Sequence, residues 1–211
     1  MPSHGPCRIG IIDSGIHVGH PHVPSISGGI AISRDGLIGT DFIDRIGHGT
    51  AVAAAIREKA PTAEIFAVKI FHDRLATRLG PLVRAIEWCV ENGMDFINLS
   101  LGTTNPAHES ALRGAIELVR AAAITLVSAY EEAGTRWLPG SLAGVTPAAL
   151  DWDCPREQVR ISQLPDGRML YRASGYPRPI PGLPLERNLK GISFAVANVT
   201  GSLAAGLPVG H

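Results

Sequence analysis

The chain has 211 residues, of which 45% are hydrophobic and 18% are charged. Lysine and arginine together number 19, as do aspartate and glutamate, so the formal net charge is zero. This composition is typical of a globular protein and gives no electrostatic reason to bind nucleic acid or an anionic membrane surface. The three cysteines, Cys7, Cys89 and Cys154, form no CxxC pair, which argues against a disulfide framework.

The N-terminal stretch MPSHGPCRIGIID has no basic segment followed by a long apolar run. No signal peptide is therefore expected, and no apolar run in the sequence is long enough to cross a membrane. A cytoplasmic location is the simplest expectation, with residues 1–211 forming one domain.

Short apolar runs alternate with helical segments through the first two thirds of the chain. In chain order the predicted elements are a strand at Arg8–Asp13, a hairpin or loop at 24–44, a helix at Gly49–Lys59, a strand at Glu64–Ile70, a helix at Pro81–Asn92, a strand at Asp95–Ser100, a helix at Ala107–Ala122 and a strand at Ile124–Ala129. Alternation of this kind predicts βαβ units and a mostly parallel sheet with helices on both faces.

The last third of the chain has a different pattern. Residues 158–173 contain two alternating segments around a Pro-Asp-Gly turn, which predicts an antiparallel hairpin. The proline-rich segment 177–186 predicts a surface connection, and the small residues of 191–206 predict a buried helix. The predicted fold is therefore α/β and doubly wound, with a β-hairpin near the end.

Three polar residues stand where strands end or helices begin. Asp13 ends the first strand, His48 lies in GHGT at a helix start, and Ser193 lies in GISFA at the start of the last helix. Ligands of open parallel sheets bind at these places, and an acid, an imidazole and a hydroxyl are the groups that nucleophilic acyl transfer needs. Taken singly, each residue has a plainer explanation as a capping, turn or structural residue.

The segments around these three residues resemble the motifs of a known enzyme family. IGIIDSGI (9–16), GHGTAVAAAI (47–56) and GISFAVANVTG (191–201) are similar, in this order, to the three signature motifs of the subtilisin-like serine proteases. The segments AVKIF (67–71) and IEWCVENGMDFINLSLG (86–102) look like the family's middle section. The resemblance covers nearly the whole chain.

The resemblance implies a subtilisin-like fold and hydrolysis of peptide bonds through an acyl-enzyme. It implies that Asp13, His48 and Ser193 are the catalytic triad, in the chain order of subtilisin. The residues expected to contact an extended substrate strand are Ser100, Leu101, Gly102, Ala129 and Glu131.

The chain departs from the family where the oxyanion is bound. The family places a hydrogen-bonding asparagine after the strand at 124–129 and a threonine directly before the nucleophile. Here Glu132 stands in the asparagine's position, Tyr130 and Glu131 replace two small residues, and Ile192 replaces the threonine. In subtilisin the loss of that asparagine lowers kcat by about 10²–10³.

The adjacent carboxylates Glu131 and Glu132 have three interpretations. They are solvated loop residues, or they shape the first specificity pocket and favour Lys or Arg in the substrate. In the third interpretation Glu132 is protonated and donates to the oxyanion, which requires a raised pKa because His48 must be neutral to act as a base.

The sequence gives no reason to expect a metal or another cofactor. The family's calcium-binding acid is replaced by His22, and the first helix lacks the usual inserted loop. The histidines His17, His20 and His22 suggest a transition-metal site, although a surface loop after Asp13 is the simpler interpretation.

Two functions from different classes are consistent with these features. The first is a compact serine endopeptidase, for example one that trims a precursor peptide. The second is a degenerate subtilisin-like fold that binds a peptide strand by edge pairing and cleaves it slowly or not at all. The triad favours the enzyme, whereas Ile192 and Glu132 favour the binder unless a donor such as Tyr130 or Asn98 replaces the missing groups. In both cases the partner is a peptide or protein, with neither nucleic acid nor membrane involved.

Overall fold

The computed structural model describes residues 5–206. Its strands are β1 (Arg8–Asp13), β2 (Gly28–Ile32), β3 (Ile38–Gly39), β4 (Glu64–Lys69), β5 (Phe96–Leu99), β6 (Thr125–Glu132), β7 (Thr135–Arg136), β8 (Thr146–Leu150), β9 (Arg160–Gln163) and β10 (Met169–Ala173). Its helices are α1 (His48–Lys59), α2 (Leu79–Glu91), α3 (Glu109–Ala121) and α4 (Ile192–Ala204), with 3-10 turns at Pro106–His108 and Leu185–Arg187. In the part of the chain that the structure describes, no helix combines the length and apolar character that crossing a membrane requires.

The strands form one mixed sheet in the order β3-β2-β4-β1-β5-β6-β8-β10-β9, and β7 pairs with β6. The central pairs are parallel, whereas β2–β3, β6–β7 and β9–β10 are antiparallel hairpins. The predicted α/β architecture is confirmed, as are the late hairpin and a hairpin within residues 24–44. The sequence did not predict β8, because Pro147 and two alanines give it no strand-like pattern.

The central strand β1 is buried on both faces of the sheet. Ile9 and Ile11 pack with residues of α1 and α4 on one face, whereas Ile12 packs with residues of α2 on the other. This follows from the two-residue period of a strand. It also places Asp13, the last residue of β1, at the carboxyl edge of the sheet with no exposed surface.

Helices α1 and α4 pack closely on the same face of the sheet. Gly201 of α4 lies directly against the backbone of Ile56, where an added Cβ would stand 3.1 Å from the Ile56 Cα. The small residues of α4 therefore let the two helices approach each other. His48 is the first residue of α1 and Ser193 is the second of α4, so this packing brings the two helix starts together.

The strand that was predicted to end at Ala129 continues through Tyr130, Glu131 and Glu132. It then reverses through Ala133 and Gly134, whose φ angles of 50° and 78° are those of a two-residue hairpin turn, and returns as β7. The two glutamates are therefore half-buried strand residues, and the interpretation as loop residues is wrong. An Ala-Gly turn is a weak hairpin signal, which explains why the sequence did not predict it.

Two helical glycines provide a test of how tightly β1 packs against α1. A Cβ at Gly49 would overlap the carbonyl oxygen of Gly15 and lie 3.2 Å from Asp13 Oδ1, whereas one at Gly114 meets nothing within 4 Å. Alanine is the better helix former by about 1 kcal/mol, so we expect Gly114→Ala to stabilise the fold by up to that amount. We expect Gly49→Ala to destabilise it by about 1–3 kcal/mol because of overpacking. Urea unfolding measures both changes, and equal stabilisation by the two substitutions would contradict the packing described.

Candidate active site

Asp13 and His48 form a buried hydrogen-bonded pair. The Nδ1 atom of His48 lies 2.8 Å from Oδ1 and 3.0 Å from Oδ2 of Asp13, and the backbone N–H of Ser14 donates to Oδ1 at 2.7 Å. Asp13 is fully buried and His48 is 9% exposed. Because an ionised carboxylate only accepts hydrogen bonds, Nδ1 carries a proton, and Nε2 of a neutral His48 is left with a free lone pair.

This pairing changes the proton affinity of His48. Burial alone would lower the pKa of the imidazole, but the hydrogen bond and the negative charge of Asp13 outweigh it, and Asp44 adds to the same effect. The pKa of His48 is therefore raised above its usual value of 6.5. A raised pKa makes the neutral ring a stronger base.

A second buried carboxylate, Asp44, holds the segment that leads into His48. Its Oδ1 accepts from the hydroxyl of Ser14 and from the backbone N–H groups of residues 46 and 47, and its Oδ2 accepts from the N–H and hydroxyl of Thr50. Burial by itself would raise the pKa of Asp44, but these hydrogen bonds lower it overall. The sequence analysis missed Asp44, although an acid just ahead of a helix start, in DRIGHGT, is a capping signal.

The loop before Asp44 is fixed at its other side by Lys69. This lysine is 2% exposed, and its Nζ donates to the carbonyl oxygen of Ile43 at 2.6 Å. Ser14, whose hydroxyl donates to Asp44, also accepts from the backbone N–H of Gly49 at 2.9 Å. The position of His48 is thus fixed by contacts to Ile43, which precedes it in the chain, and to Gly49, which follows it.

Ser193 is half-buried at the start of α4, where helix N–H groups are unpaired. Its Oγ donates to the carbonyl oxygen of Ser100 at 3.2 Å, and the hydroxyl of Ser100 donates back to the Ser193 carbonyl at 3.2 Å. The next residue, Phe194, places its ring 5.5 Å from that of His48. The hydroxyl is therefore directed to the carbonyl oxygen at the end of β5.

Asn98 and Tyr130, the alternative oxyanion donors, are both engaged elsewhere. The amide of Asn98 donates to Ser100 Oγ at 2.8 Å, and its carbonyl oxygen accepts from the hydroxyl of Thr200 at 2.9 Å. Tyr130 packs in a separate apolar cluster with Ala149 and Leu170. Asn98 is therefore held between Ser100 and Thr200, and Tyr130 packs in a cluster that does not include the residues next to Ser193.

Glu131 and Glu132 lie beside Tyr130 and Trp137 along a cavity of about 810 Å³ next to β6 and β8. The residues that line this cavity include none of Asp13, His48 and Ser193. Ile192 packs at the edge of the cluster formed by α4, β6 and β8. Of the residues predicted from the sequence, the structure brings Asp13 and His48 into contact, and places Ser193 at the adjacent helix start.

The predicted substrate edge is partly covered by a segment that the sequence analysis did not consider. Leu138 pairs with Thr103 through two backbone hydrogen bonds of 2.9 Å, and the N–H of Trp137 donates to the carbonyl of Tyr130 at 2.9 Å. A Cβ at Gly102 would lie 3.0 Å from Trp137 Cβ and 3.2 Å from its indole ring. Trp137, rather than a glutamate, is therefore the side chain against Gly102.

The histidines of the loop after Asp13 interact with one another. The rings of His20 and His22 pack edge to face at 5.3 Å, and the N–H of His22 donates to His20 Nδ1 at 3.2 Å. Within residues 5–206, no group of three or more His, Cys, Asp or Glu side chains is arranged to hold a metal ion.

The Asp13–His48 pair predicts how the protonation of His48 depends on pH. We expect an NMR titration of His48 to give a pKa above 6.5, and Asp13→Asn to bring it below 6.5, because burial then acts without the opposing charge. Activity that requires neutral His48 must accordingly rise with pH through the raised pKa. Asp73→Asn, at a side chain that is 82% exposed, is the matched control and should leave the titration unchanged. An unchanged His48 pKa in Asp13→Asn would contradict the pairing.

Two solved structures share this fold over most of the chain. The crystal structure of a lanthipeptide protease superimposes with a TM-score of 0.71 at 18% sequence identity, covering 94% of this chain and 72% of that one. The prenylagaramide maturation protease PagA superimposes with a TM-score of 0.63 at 23% identity, covering 94% and 74%. At these identities the likeness is one of fold.

The sequence is also similar to those of bacterial subtilisins. Subtilisin DY of Bacillus licheniformis is 30% identical over 137 residues, which cover 61% of this chain and 48% of the relative. Subtilisin E of Bacillus subtilis (strain 168) is 29% identical over 205 residues, covering 92% and 51%. The chain thus spans about half the length of these curated relatives. A family model described as the subtilase family matches residues 7–134, well over half of the chain. The chain therefore belongs to the subtilase family.

Proposed function

We propose that the chain is a serine endopeptidase in which Asp13 orients His48, His48 is the general base and Ser193 is the nucleophile. The observation that carries the proposal is the buried hydrogen bond between Asp13 and His48 Nδ1, which leaves Nε2 as the basic atom. The close packing of α1 and α4 supports it, because His48 and Ser193 stand in the first turns of these two helices.

Catalysis begins when the Ser193 hydroxyl turns from the Ser100 carbonyl towards His48. Nε2 takes the hydroxyl proton as Oγ attacks the substrate carbonyl, and Asp13 stabilises the imidazolium that forms. The backbone N–H of Ser193, at the positive end of the α4 dipole, donates to the developing oxyanion. His48 then protonates the leaving amine, and water releases the acyl group by the same steps in reverse.

The oxyanion is the weak point of this mechanism. Glu132 and Ile192 replace the two side-chain donors of the family, and the backbone N–H is the donor that remains at Ser193. The absence of one such donor corresponds to a loss of about 10²–10³ in kcat. We therefore expect a slow peptidase. Processing of a dedicated precursor peptide is a suitable role for such an enzyme. The names of the two similar structures, a lanthipeptide protease and a prenylagaramide maturation protease, support this role by analogy alone.

One observation favours the alternative, a peptide-binding protein that does not cleave. The Ser193 hydroxyl donates its proton to the Ser100 carbonyl oxygen rather than to His48. If this hydrogen bond persists when a peptide is bound, the hydroxyl stays a poor nucleophile. Chemical labelling separates the two functions, because a fluorophosphonate reacts only with an activated serine.

We expect a fluorophosphonate to add once to the native chain, with a rate that rises with pH through the raised pKa of His48. Intact-mass spectrometry from pH 5 to 9 measures the adduct. Ser193→Ala should abolish labelling, while Ser162→Ala, at an exposed serine, should leave it unchanged. Labelling that falls with rising pH would instead contradict a neutral His48 as the base. Absence of labelling at every pH would overturn the peptidase and leave the peptide-binding function.

Trp137 predicts which substrates are cleaved. Its ring lies against Gly102 and leaves little space there for a large side chain. We therefore expect kcat/KM to be about tenfold or more higher for peptides with alanine before the scissile bond than for those with phenylalanine. Trp137→Ala should reduce that ratio by about tenfold, since it opens space beside Gly102. Trp152→Ala is the control, because this half-exposed side chain lines the same cavity as Trp137 but is not among the groups nearest to Gly102.

A lysine peptide completes this series. A preference of the native chain for lysine over alanine would show that Glu131 or Glu132 sets the specificity, and would contradict the role given to Trp137.

A further inference from the structure

A second cavity, of about 500 Å³, lies along the outer face of α1. Its walls are the loop of residues 17–22, the residues that precede His48, and the proline-rich connection that leads to α4. None of the residues assigned to catalysis lines it, and the proposed mechanism makes no use of it.

The cavity begins beside the catalytic residues and runs away from them. At one end it is lined by Gly47, directly before His48, and by Leu189, four residues before Ser193. From there it follows α1 to Ala54. The Ser100–Gly102 edge follows β5, and none of its residues is among those that line the cavity within residues 5–206. A peptide whose acyl part follows that edge leaves the cavity open to its leaving-amine part.

The floor of the cavity is apolar and its rim is basic. Apolar surface comes from Ile46, Ala51, Ala54, Ile180 and Leu189, and the last two of these side chains are 42% and 47% exposed. An exposed apolar surface inside a concave wall is stabilised when it is covered by an apolar side chain of a ligand.

Positive charge at the rim comes from Arg45 and Arg178. Arg45 is paired with the exposed Asp41. Arg178 lies 4.0 Å from Glu58, but Arg156 binds the same carboxylate more closely, so the charge of Arg178 is incompletely balanced. Burial, and next the charge of Arg178, lower the pKa of His22, in keeping with a positive potential inside the cavity.

The one carboxylate among the lining residues within 5–206 is Asp44. Its two oxygens accept five hydrogen bonds from Ser14, Thr50 and the backbone, so it offers no free acceptor to a ligand. The lining histidines, His17, His20 and His22, add positive charge as the pH falls. The charges that face the cavity therefore favour an anionic group.

We propose that this cavity binds the leaving-amine side of the peptide substrate, with an apolar side chain against Leu189 and Ile180 and an acidic side chain at Arg178. The inference rests on the proposed peptidase function and adds to it a substrate class: peptides that are apolar and then acidic after the scissile bond. Binding at the cavity is measured in a chain that cannot cleave. A failure of the peptide to bind is therefore distinct from a failure of the peptidase function.

The probe is the tripeptide amide H-Ala-Leu-Glu-NH₂, compared with H-Ala-Leu-Lys-NH₂, each titrated into the ¹⁵N-labelled Ser193→Ala chain. We expect saturable shifts of the Thr50, Ala51 and Leu189 amide resonances, and about fivefold or more tighter binding of the Glu peptide. Arg178→Glu should reverse this preference, and Arg178→Ala should abolish it.

The control is Arg187→Glu, which changes an arginine of the same connection that does not line the cavity, and it should leave the preference unchanged. Native-like spectra of the variants establish that they are folded. Equal binding of the two peptides, or shifts confined to other parts of the chain, would overturn the proposal even if Ser193 is labelled. Selective binding at the cavity would support it even if Ser193 is not labelled.

Discussion

The buried hydrogen bond between Asp13 and His48 is the interaction on which the rest of the site depends. A carboxylate removed from water is destabilising unless its oxygens are hydrogen-bonded, and here the imidazole and the Ser14 N–H are the donors. The geometry requires β1 to end deep in the sheet and α1 to begin directly beside it. Gly49 permits that approach, and Asp44 completes it by binding Ser14 and the start of α1.

The position of Ser193, the proposed nucleophile, depends on a second constraint, the close approach of α1 and α4. Small residues of α4 allow it, and the packing of Phe194 against His48 fixes the relative position of the two helix starts. The Ser193 hydroxyl is held at the Ser100 carbonyl by a single hydrogen bond of 3.2 Å, so the resting arrangement is easily exchanged for one that faces the base. Substrate binding at the neighbouring strand edge is the event that would favour this exchange.

Much of the fold and part of the site could be predicted from sequence because their signals are local. Asp13, His48 and Ser193 stand at ends of elements that are recognisable from a few adjacent residues, and the alternation of strands and helices indicates a parallel sheet. The position of Trp137 could not be predicted, since it follows from pairing between Leu138 and Thr103, which are far apart in the chain. For the same reason a loop was one of the three interpretations of Glu131 and Glu132, although cross-strand pairing with β7 extends β6 through them. Asp44 was missed although four of its five hydrogen bonds come from residues 46–50, and only the fifth, from Ser14, depends on a distant part of the chain.

A crystal structure of the chain after reaction with a diphenyl phosphonate tests the central claim most directly, because the adduct mimics the tetrahedral intermediate. The account predicts phosphorus bonded to Ser193 Oγ, His48 Nε2 within about 3 Å of an oxygen of the adduct, and the Asp13–His48 hydrogen bond unchanged. It also predicts one phosphonyl oxygen facing the backbone N–H of Ser193. A label on another residue, or an adduct in which His48 has separated from Asp13, would contradict the assignment of these three residues as one catalytic unit.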